Sequence, residues 1–362
     1  MYNVSNTAKA DVTCSFDFQH MKKIVITGIG GYIGSVSASL FLKAGYTVIG
    51  IDNFSRGNKG AVAYLEGKYP DTLHFHECDV RETEKLTHIL ESEHTQSDSS
   101  IDAVIHYAAL CNVGESEKHP ELYFDVNVQG VVSLLEAMRA VDLKKIVFSS
   151  TCAIYGEPES DVLSEDHPIH PTSHPYGESK YMAERVIDWY DKVYGFRYIF
   201  LRYFNVCGAT DDGEIGDSKN PSYHLMQNAV RGSLGIDEFF LNFTPVDTPD
   251  GSPIRDYVDV VDLNMAHIKA VEYIQTVDHS DIFNLGTGSG YSVLEIVHKV
   301  QEITGKTFDI KETERRKGDV VKAVASNEKI TRVLGWKPEH SLEDSVKSLV
   351  SWYTQHPHGW DE

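Results

Sequence analysis

In the run HPYGESKYMAER, Tyr176 and Lys180 stand one helical turn apart at the start of a long amphipathic pattern. Helical spacing would put both side chains on one face. A free tyrosine titrates near ~10 and is a poor base at neutral pH, but a neighbouring ammonium favours the phenolate. The run KKIVFSST reads as a strand that delivers Ser149, Ser150 and Thr151 to a sheet edge, where a hydroxyl could bind an oxygen that gains or loses a proton. Thr151, Tyr176 and Lys180 then form a proton-handling unit suited to a place beside a hydride acceptor.

A site for such an acceptor is written near the start of the chain. TGIGGYIG sets Gly28, Gly31 and Gly34 directly after a strand and at the opening of a helix, with Tyr32 and Ile33 between them. Glycines there permit a tight turn, close approach of backbone to a pyrophosphate, and close packing of helix on sheet. The second strand ends VIGIDN, so Asp52 can accept the hydroxyls of an adenosine ribose, with Asn53 beside it. Its charge repels a 2′-phosphate, which favours NAD over NADP. CDV, with Asp79 and Val80, and HYAAL, with Tyr107, Ala108 and Ala109, end strands three and four at the carboxyl edge where open α/β sheets bind ligands.

These residues need a frame, and the pattern from Lys22 supplies one. Short β-branched runs alternate with helical patterns: KKIVITG, YIGSVSASLFLKAGY, YTVIGID, then strands in LHFHECDV, DAVIHYAAL, KKIVFSST and RYIFLRYFNV. The order predicts an α/β fold, a Rossmann-like doubly wound parallel sheet wrapped by helices, with strands buried on both faces. A single helix is expected across ELYFDVNVQGVVSLLEAMRAV, and EHTQSDSS reads as a surface loop. After Val206 the rhythm breaks into Gly-, Pro- and Asp-rich stretches, and a smaller C-terminal α/β substrate lobe begins. DVVDLNMAHIKAVEYIQ and DIFNLGTG return the chain to the first lobe, before helices in SVLEIVHKVQEITG, NEKITRVLG and SLEDSVKSLVSWYTQHP. The expected division is residues 21–205 plus about 257–285 for the NAD-binding domain, and 206–256 plus 286–362 for the substrate domain. Residues 1–20 read as a disordered extension without an apolar targeting core.

Composition narrows the partners. The 362 residues carry 54 acidic and 33 basic side chains, a formal charge of −21, which disfavours nucleic acid and anionic membranes. An anionic ligand must therefore meet a local cluster of cations. No run approaches the ~18 apolar residues of a membrane span. Five scattered cysteines without a CxxC pair suit free thiols in the cytoplasm. Cys152 reads as a small buried hydrophobe, and His74 and His76 as solvent-facing or hydrogen-bonded rather than metal ligands. The aromatics of SWYTQHPHGW are expected to pack the smaller lobe, while Tyr155 could be either structural or a ligand contact.

The chain resembles the extended short-chain dehydrogenase/reductase superfamily, most closely its UDP-glucose 4-epimerase family. The resemblance runs from about Lys22 to the C-terminus through TGIGGYIGS, IDNFSRG, NVQG, FSSTCAIYGEP, PYGESK, LRYFNVCGA, IRDYVDVVDL, FNLGTGSGYSVLE, RRKGDV and LGWKP. It implies that Tyr176 is the catalytic base, that Lys180 tunes it and binds the nicotinamide ribose, and that Thr151 hydrogen-bonds the sugar O4. Asn127, Tyr203 and the backbone at Ser149 and Ser150 would line the nicotinamide site. Asn205, His224, Leu225, Arg255, Arg316 and Asp319 would hold a UDP moiety, with the two guanidiniums suited to diphosphate oxygens. Ala323 falls where some members carry a bulky aromatic residue that narrows the hexose pocket. The implied reaction removes and returns hydrogen at the sugar C4 with NAD retained, in a homodimer joined through helices around 121–141 and 176–195. Related dehydratases carry an Asp-Glu pair after the threonine, where this chain has Cys152 and Ala153, and the acid characteristic of the decarboxylases is also missing. Epimerases of UDP-N-acetylglucosamine, UDP-xylose or UDP-glucuronate share the whole apparatus, and a non-catalytic sensor would keep the fold without the chemistry. Two departures from the family pattern are Cys111, where some members have lysine, and LNFTPV before the TPDG turn.

Overall fold

The structure, a computed structural model, describes residues 22–95, 100–241, 243–312 and 320–360. The N-terminal extension, Arg316 and Asp319 lie outside them.

Apolar, largely β-branched runs build the main sheet. Its strands are β1 (Lys23–Thr27), β2 (Thr47–Asp52), β3 (Leu73–Glu77), β4 (Ile101–His106) and β5 (Lys145–Thr151). After a short β6 (Val162–Leu163) come β7 (Arg197–Tyr203), β8 (Asn205–Cys207), β9 (Phe239–Leu241), β10 (Ile254–Asp259) and β11 (Asp281–Leu285). The last are β12 (Gly290–Ser292), β13 (Ile310–Glu312) and β14 (Lys322–Ala325). Seven of them form a parallel sheet in the order β11-β7-β5-β4-β1-β2-β3. Every residue of β1 and β2 is buried, as strands covered on both faces require.

The helices are α1 (Tyr32–Lys43), α2 (Lys59–Lys68), α3 (Thr83–Thr95), α4 (Val113–Lys118), α5 (Pro120–Phe124) and α6 (Gly130–Ala140). They continue with α7 (Pro175–Tyr194), α8 (Leu225–Leu234), α9 (Val260–Ile274), α10 (Val293–Thr304), α11 (Glu328–Leu334) and α12 (Leu342–Gln355). Val36 and Phe41 of α1, Leu65 of α2 and Leu263 of α9 close one face of the sheet. Leu90 of α3, Leu134 of α6, and Ala183 and Ile187 of α7 close the other. The strand order reverses between β1 and β4, which opens a crevice at their carboxyl ends.

Two sequence expectations need correction. The single helix across 121–141 is instead α5, a π-helical turn at Asp125–Gln129, and α6. The wider turn turns Asn127 inward to bond Leu110 and Ser179, and such bulges concentrate at functional sites. The stretch read as a loop from Glu93 begins as the last turn of α3. Glu93 is buried there, and its carboxylate meets both His74 and His76 at 2.9 Å. The polar composition of EHTQSDSS concealed a helix end whose acid is spoken for by strand β3.

A second sheet runs β12-β10-β14-β6, with β8 paired to β10. It takes β6 from within the segment assigned to the first domain, and the expected boundary near 257 falls inside β10. Below it α8, α10 and α12 bury Met226, Val230, Ile296, Val300, Val346, Trp352 and Tyr353.

His340 ties the start of α12 to α9. Its Nδ1 lies 2.8 Å from Asp262 and its Nε2 2.9 Å from Asp211. Burial opposes protonation, but the hydrogen bond to Asp262 and the charges of Asp259, Asp262 and Asp211 outweigh it and raise His340 to about 9. A raised folded-state value means stability present in full below the ordinary histidine range and lost as pH climbs through about 9. Thermal unfolding followed across that range should show a decline that His340→Gln removes, worth about 2–4 °C; an equal slope in both proteins would refute the assignment.

Candidate active site

A cavity of about 500 Å³ lies over the carboxyl ends of β1, β4 and β5. Its walls include Gly28, Gly31, Tyr32, Ile33, Gly34, Asp52, Asn53, Asp79, Val80, Tyr107, Ala108 and Ala109. Ser149, Ser150, Thr151, Tyr176, Lys180, Tyr203, Asn205 and His224 complete the expected residues that it gathers.

Local structure explains how the reactive pair reaches it. His174 caps α7 by accepting from the Gly177 amide at 3.1 Å, Pro175 occupies the first helical position, and Gly195 ends the helix in the left-handed region. Tyr176 therefore sits in the first turn, stacked on the His174 ring and edge-on to Tyr123. Lys180, one turn on, is 3% exposed and donates to the Ser149 carbonyl at 2.8 Å, with its ammonium 4.8 Å from the centre of the Phe148 ring. Burial pushes the Tyr176 phenol well above its usual range, and a hydrogen bond with Thr151 pulls it back. Burial likewise draws Lys180 down to about 8, opposed by the negative forms of Cys111 and Glu184. Lys180 and Thr151 are buried and Tyr176 is half-buried, so charges in the unit are screened less than at an open surface.

The turn beside it is built for close approach. Gly28 has φ of +77°, and a Cβ there would meet the Ala108 amide at 2.7 Å; one on Gly34 would meet the Gly28 carbonyl at 2.0 Å. The α1 N-cap, Gly31, offers no side-chain acceptor to the first-turn amides, and that turn carries no acid. Asp52 is 8% exposed and accepts from the Gly30 amide at 2.8 Å and the Phe54 amide at 2.7 Å. Asn53 donates to Asp79, and Arg81 beside it holds that carboxyl down at about 2. Tyr107 is braced by Ser37 and Asn264, and the Tyr203 hydroxyl meets His267.

Tyr32 couples this turn to the opposite wall. Its hydroxyl donates to the Gly208 carbonyl at 2.5 Å, and its ring stands edge-on to His224. Burial holds His224 down at about 4, so it faces the cavity as a neutral ring. Four expected residues lie elsewhere. Asn127 sits beneath the wall, bonding both the amide and the carbonyl of Leu110 and the Ser179 hydroxyl, so it braces the site rather than lining it. Leu225 opens α8 and packs into the core below, because its helix turns the side chain from the cavity. Arg255 bonds the carbonyls of Ile254 and Val320, and Ala323 pairs in register with it. Ala323 packs against the buried cluster that includes Phe204, which does line the cavity.

Sequence reading missed several lining residues: Arg56, Arg81, Glu115, Lys219 and Tyr223 among them. Arg56 reaches across to Glu115 at 2.5 Å, and Lys219 lies 3.6 Å from the fully buried Asp217. For Arg56, Arg81 and Glu115 the signal available was position alone, since each follows a strand end or helix cap, and for Lys219 and Tyr223 there was none.

With this geometry in place, the comparison with known proteins is decisive. The model of the NAD dependent epimerase/dehydratase family matches residues 24–286. The chain belongs to this family. A UDP-glucose 4-epimerase of Lactobacillus helveticus is 40% identical over 342 residues, 94% of this chain and 99% of the relative. A solved UDP-glucose 4-epimerase from Bifidobacterium longum, in complex with NAD+ and UDP, has a TM-score of 0.85 and 32% identity, covering 93% of this chain and 100% of that one. A UDP-Glc/GlcNAc 4-epimerase from Campylobacter jejuni has a TM-score of 0.77 and 34% identity, covering 92% of this chain and 99% of that one.

NAD is the cofactor of this family, and the residues present fit it. A glycine turn that leaves no room for a Cβ, first-turn amides without a side-chain cap, and a mostly buried carboxylate at the end of β2 suit a pyrophosphate and a ribose in turn. Replacing Asp52 by Ala should weaken cofactor retention by about 10–100-fold, the effect of losing charge-assisted hydrogen bonds. Fluorescence titration with NADH on stripped protein would read it, and unchanged affinity would remove Asp52 from the site.

Proposed function

We propose that this chain is a UDP-hexose 4-epimerase that interconverts UDP-galactose and UDP-glucose through a 4-keto sugar, with NAD held throughout. The observation that carries this reading is the meeting of Thr151, Tyr176 and Lys180 in one cavity with the α1 N-terminus and Asp52. Cys152 and Ala153 after Thr151 supply no acid for eliminating water, which favours epimerase over dehydratase. The relatives' names support the same choice.

Bound NAD supplies a reversible hydride acceptor for the sugar C4. Tyr176, as phenolate, takes the proton of the 4-hydroxyl, and its burial makes it a strong enough base once charged. Thr151 donates to the phenolate and orients the substrate oxygen. Lys180 fixes the positive charge beside the reacting centre while anchoring α7 to β5. Once the 4-keto sugar has turned its other face, the hydride would return to C4 from that side and Tyr176 gives the proton back to O4, which leaves the centre inverted. Asn205 and His224, which line the cavity, hold the UDP moiety, so the hexose turns about a fixed diphosphate; Leu225, Arg255, Arg316 and Asp319 are assigned to the same moiety by the sequence resemblance alone.

Ala323 stands where a bulky aromatic residue narrows the hexose pocket in some family members, and it belongs to the same cluster as the cavity-lining Phe204, so UDP-N-acetylglucosamine and its galacto epimer are also substrates. The Campylobacter relative, named for both Glc and GlcNAc, is in keeping with this. The division into a cofactor domain at 21–205 plus 257–285 and a substrate domain at 206–256 plus 286–362 is supported by the two sheets, apart from β6, Asn205 at the start of β8 and the second half of β10, which pair in the second sheet but fall in the cofactor segments. Met182, Trp189, Val193 and Tyr194 stand exposed on α7 and support a homodimer through that helix and those at 121–141. No helix among the described residues is long and apolar enough to cross a membrane.

Incubated with UDP-galactose and no added NAD, the purified protein should form UDP-glucose. Tyr176→Phe should lower turnover about 10²–10⁴-fold while retaining NAD, and Ala323→Tyr should suppress N-acetylated substrates selectively. No conversion even with added NAD would overturn the reading. The dimer is checked by light scattering, where the mass of a single chain would refute it.

A further inference from the structure

Beneath the reactive pair lies a charge that the mechanism above does not use. Glu184, one turn beyond Lys180 on α7, is 3% exposed and does not line the cavity. Its Oε1 accepts from the Ser150 hydroxyl at 2.5 Å and from Arg202 Nε at 3.1 Å, and its Oε2 accepts from Arg202 Nη2 at 2.8 Å. Arg202, also 3% exposed, donates onward to the Tyr155 hydroxyl at 3.0 Å, which donates to Asn284 at 2.7 Å. One carboxylate thus joins α7 to β5 and β7, and through Tyr155 to β11.

The place of that junction gives it meaning. Ser150 stands between Ser149, whose carbonyl takes the Lys180 ammonium, and Thr151, which hydrogen-bonds Tyr176. Glu184 therefore holds the middle residue of the strand end on which both halves of the reactive unit rest. A buried ion pair of this kind is weak evidence for stability, since packed apolar side chains often do as well. Its use is better sought in what it positions and what charge it presents.

The groups acting on Lys180 can be named from each side. From its own helix come Tyr176 and Glu184; from β4 and the loop after it, His106 and Cys111; from β5, the Ser149 carbonyl and the Phe148 ring. From β7 come Arg202, paired to Glu184, with Tyr198 and Tyr203 farther along the same strand. Burial holds His106 neutral, down to about 3, with its Nδ1 on the Thr27 hydroxyl at 2.7 Å. Among the described residues, Glu184 is the carboxylate whose charge favours the ammonium.

We propose that Glu184 is a positioning residue for the epimerase reaction, one that fixes Tyr176 and Lys180 against the end of β5 through Ser150 and Arg202. This rests on the function proposed above for the same site. The charge of Glu184, after that of Cys111, also favours the ammonium of a lysine that burial has drawn down to about 8.

The test follows the titration of Lys180 by NMR of ¹³C-lysine-labelled holoenzyme, its resonance assigned by absence from Lys180→Met, together with the pH profile of UDP-galactose turnover. In Glu184→Gln the titration midpoint and the alkaline limb should both move about 1 unit to lower pH, with kcat reduced about tenfold and KM little changed. Arg202→Gln breaks the same pair and costs comparable thermal stability, but leaves the carboxylate; its midpoint should stay or rise. An equal downward shift in both variants would mark general loosening and overturn the proposal. Should the single exchange not fold, Glu184→Gln with Arg202→Gln removes both charges and should give a smaller shift of the same sign. An unchanged midpoint in a folded Glu184 variant would also overturn it. The NMR titration needs no turnover, so failure of the wild type to act on UDP-galactose would be charged to the function and not to Glu184.

Discussion

The hydrogen bond from the Lys180 ammonium to the Ser149 carbonyl is the contact on which the site's geometry depends. It buries a cation that water would otherwise solvate, and the cost is offset by the carbonyl, the Phe148 ring and the nearby carboxylate of Glu184. Because it joins the first turns of α7 to the last residues of β5, it brings a helix-borne phenol and a strand-borne hydroxyl to one oxygen-binding position. Neither element would place its residue alone: Tyr176 needs the helix cap at His174, and Thr151 needs the parallel pairing of β5 with β7.

The cofactor crevice is fixed by a different constraint, the absence of side chains. Gly28 and Ala108 approach where the strand order reverses, and any Cβ on Gly28 would push β1 and the strand end after β4 apart. The helix that follows presents uncapped amides because Gly31 precedes it. Tyr32 then carries this placement across the cavity, since its hydroxyl on Gly208 and its ring on His224 set the opposite wall by contact with the turn itself. Cofactor turn and substrate wall are thus mechanically one piece at that point.

Much of this was legible in the sequence because it is local. Continuous apolar runs mark strands buried on both faces, and the glycine spacing, the acid after VIGI and the Tyr-x-x-x-Lys pair report positions a few residues from an element's end. What was not legible depends on contacts between distant segments. Asn127 became a brace because a π turn rotates it beneath Leu110, and no periodicity announces such a turn. Glu93 lay in a stretch polar enough to read as loop, and only the pairing of β3 with β2 brings His74 and His76 to it. Lys219 and Tyr223 sit in a Gly- and Pro-rich segment that has no pattern of its own and acquires a role only by being folded over the sheet edge. Glu184 is an instructive case, since its spacing from Lys180 was visible and its partner Arg202, on β7, was not.

The cavity's cations show how a strongly acidic chain can accept an anionic ligand. Arg56 is held by Glu115, Arg81 by Asp79 and Asp125, and Lys219 lies against Asp217. Each is kept near charge balance by a protein carboxylate, so the site avoids the repulsion of clustered cations and the penalty of a buried unpaired one. An incoming diphosphate then competes with carboxylates already in place, and its advantage must come from geometry, through amides at a helix N-terminus and forked guanidiniums that carboxylates cannot fully occupy. At the reacting end, Thr151 and Cys111 act directly on the Tyr176 phenol and line the cavity with it. An enzyme that must grip one end of its substrate while the other turns over requires its firm contacts at the diphosphate, which is where amides and guanidiniums bind best.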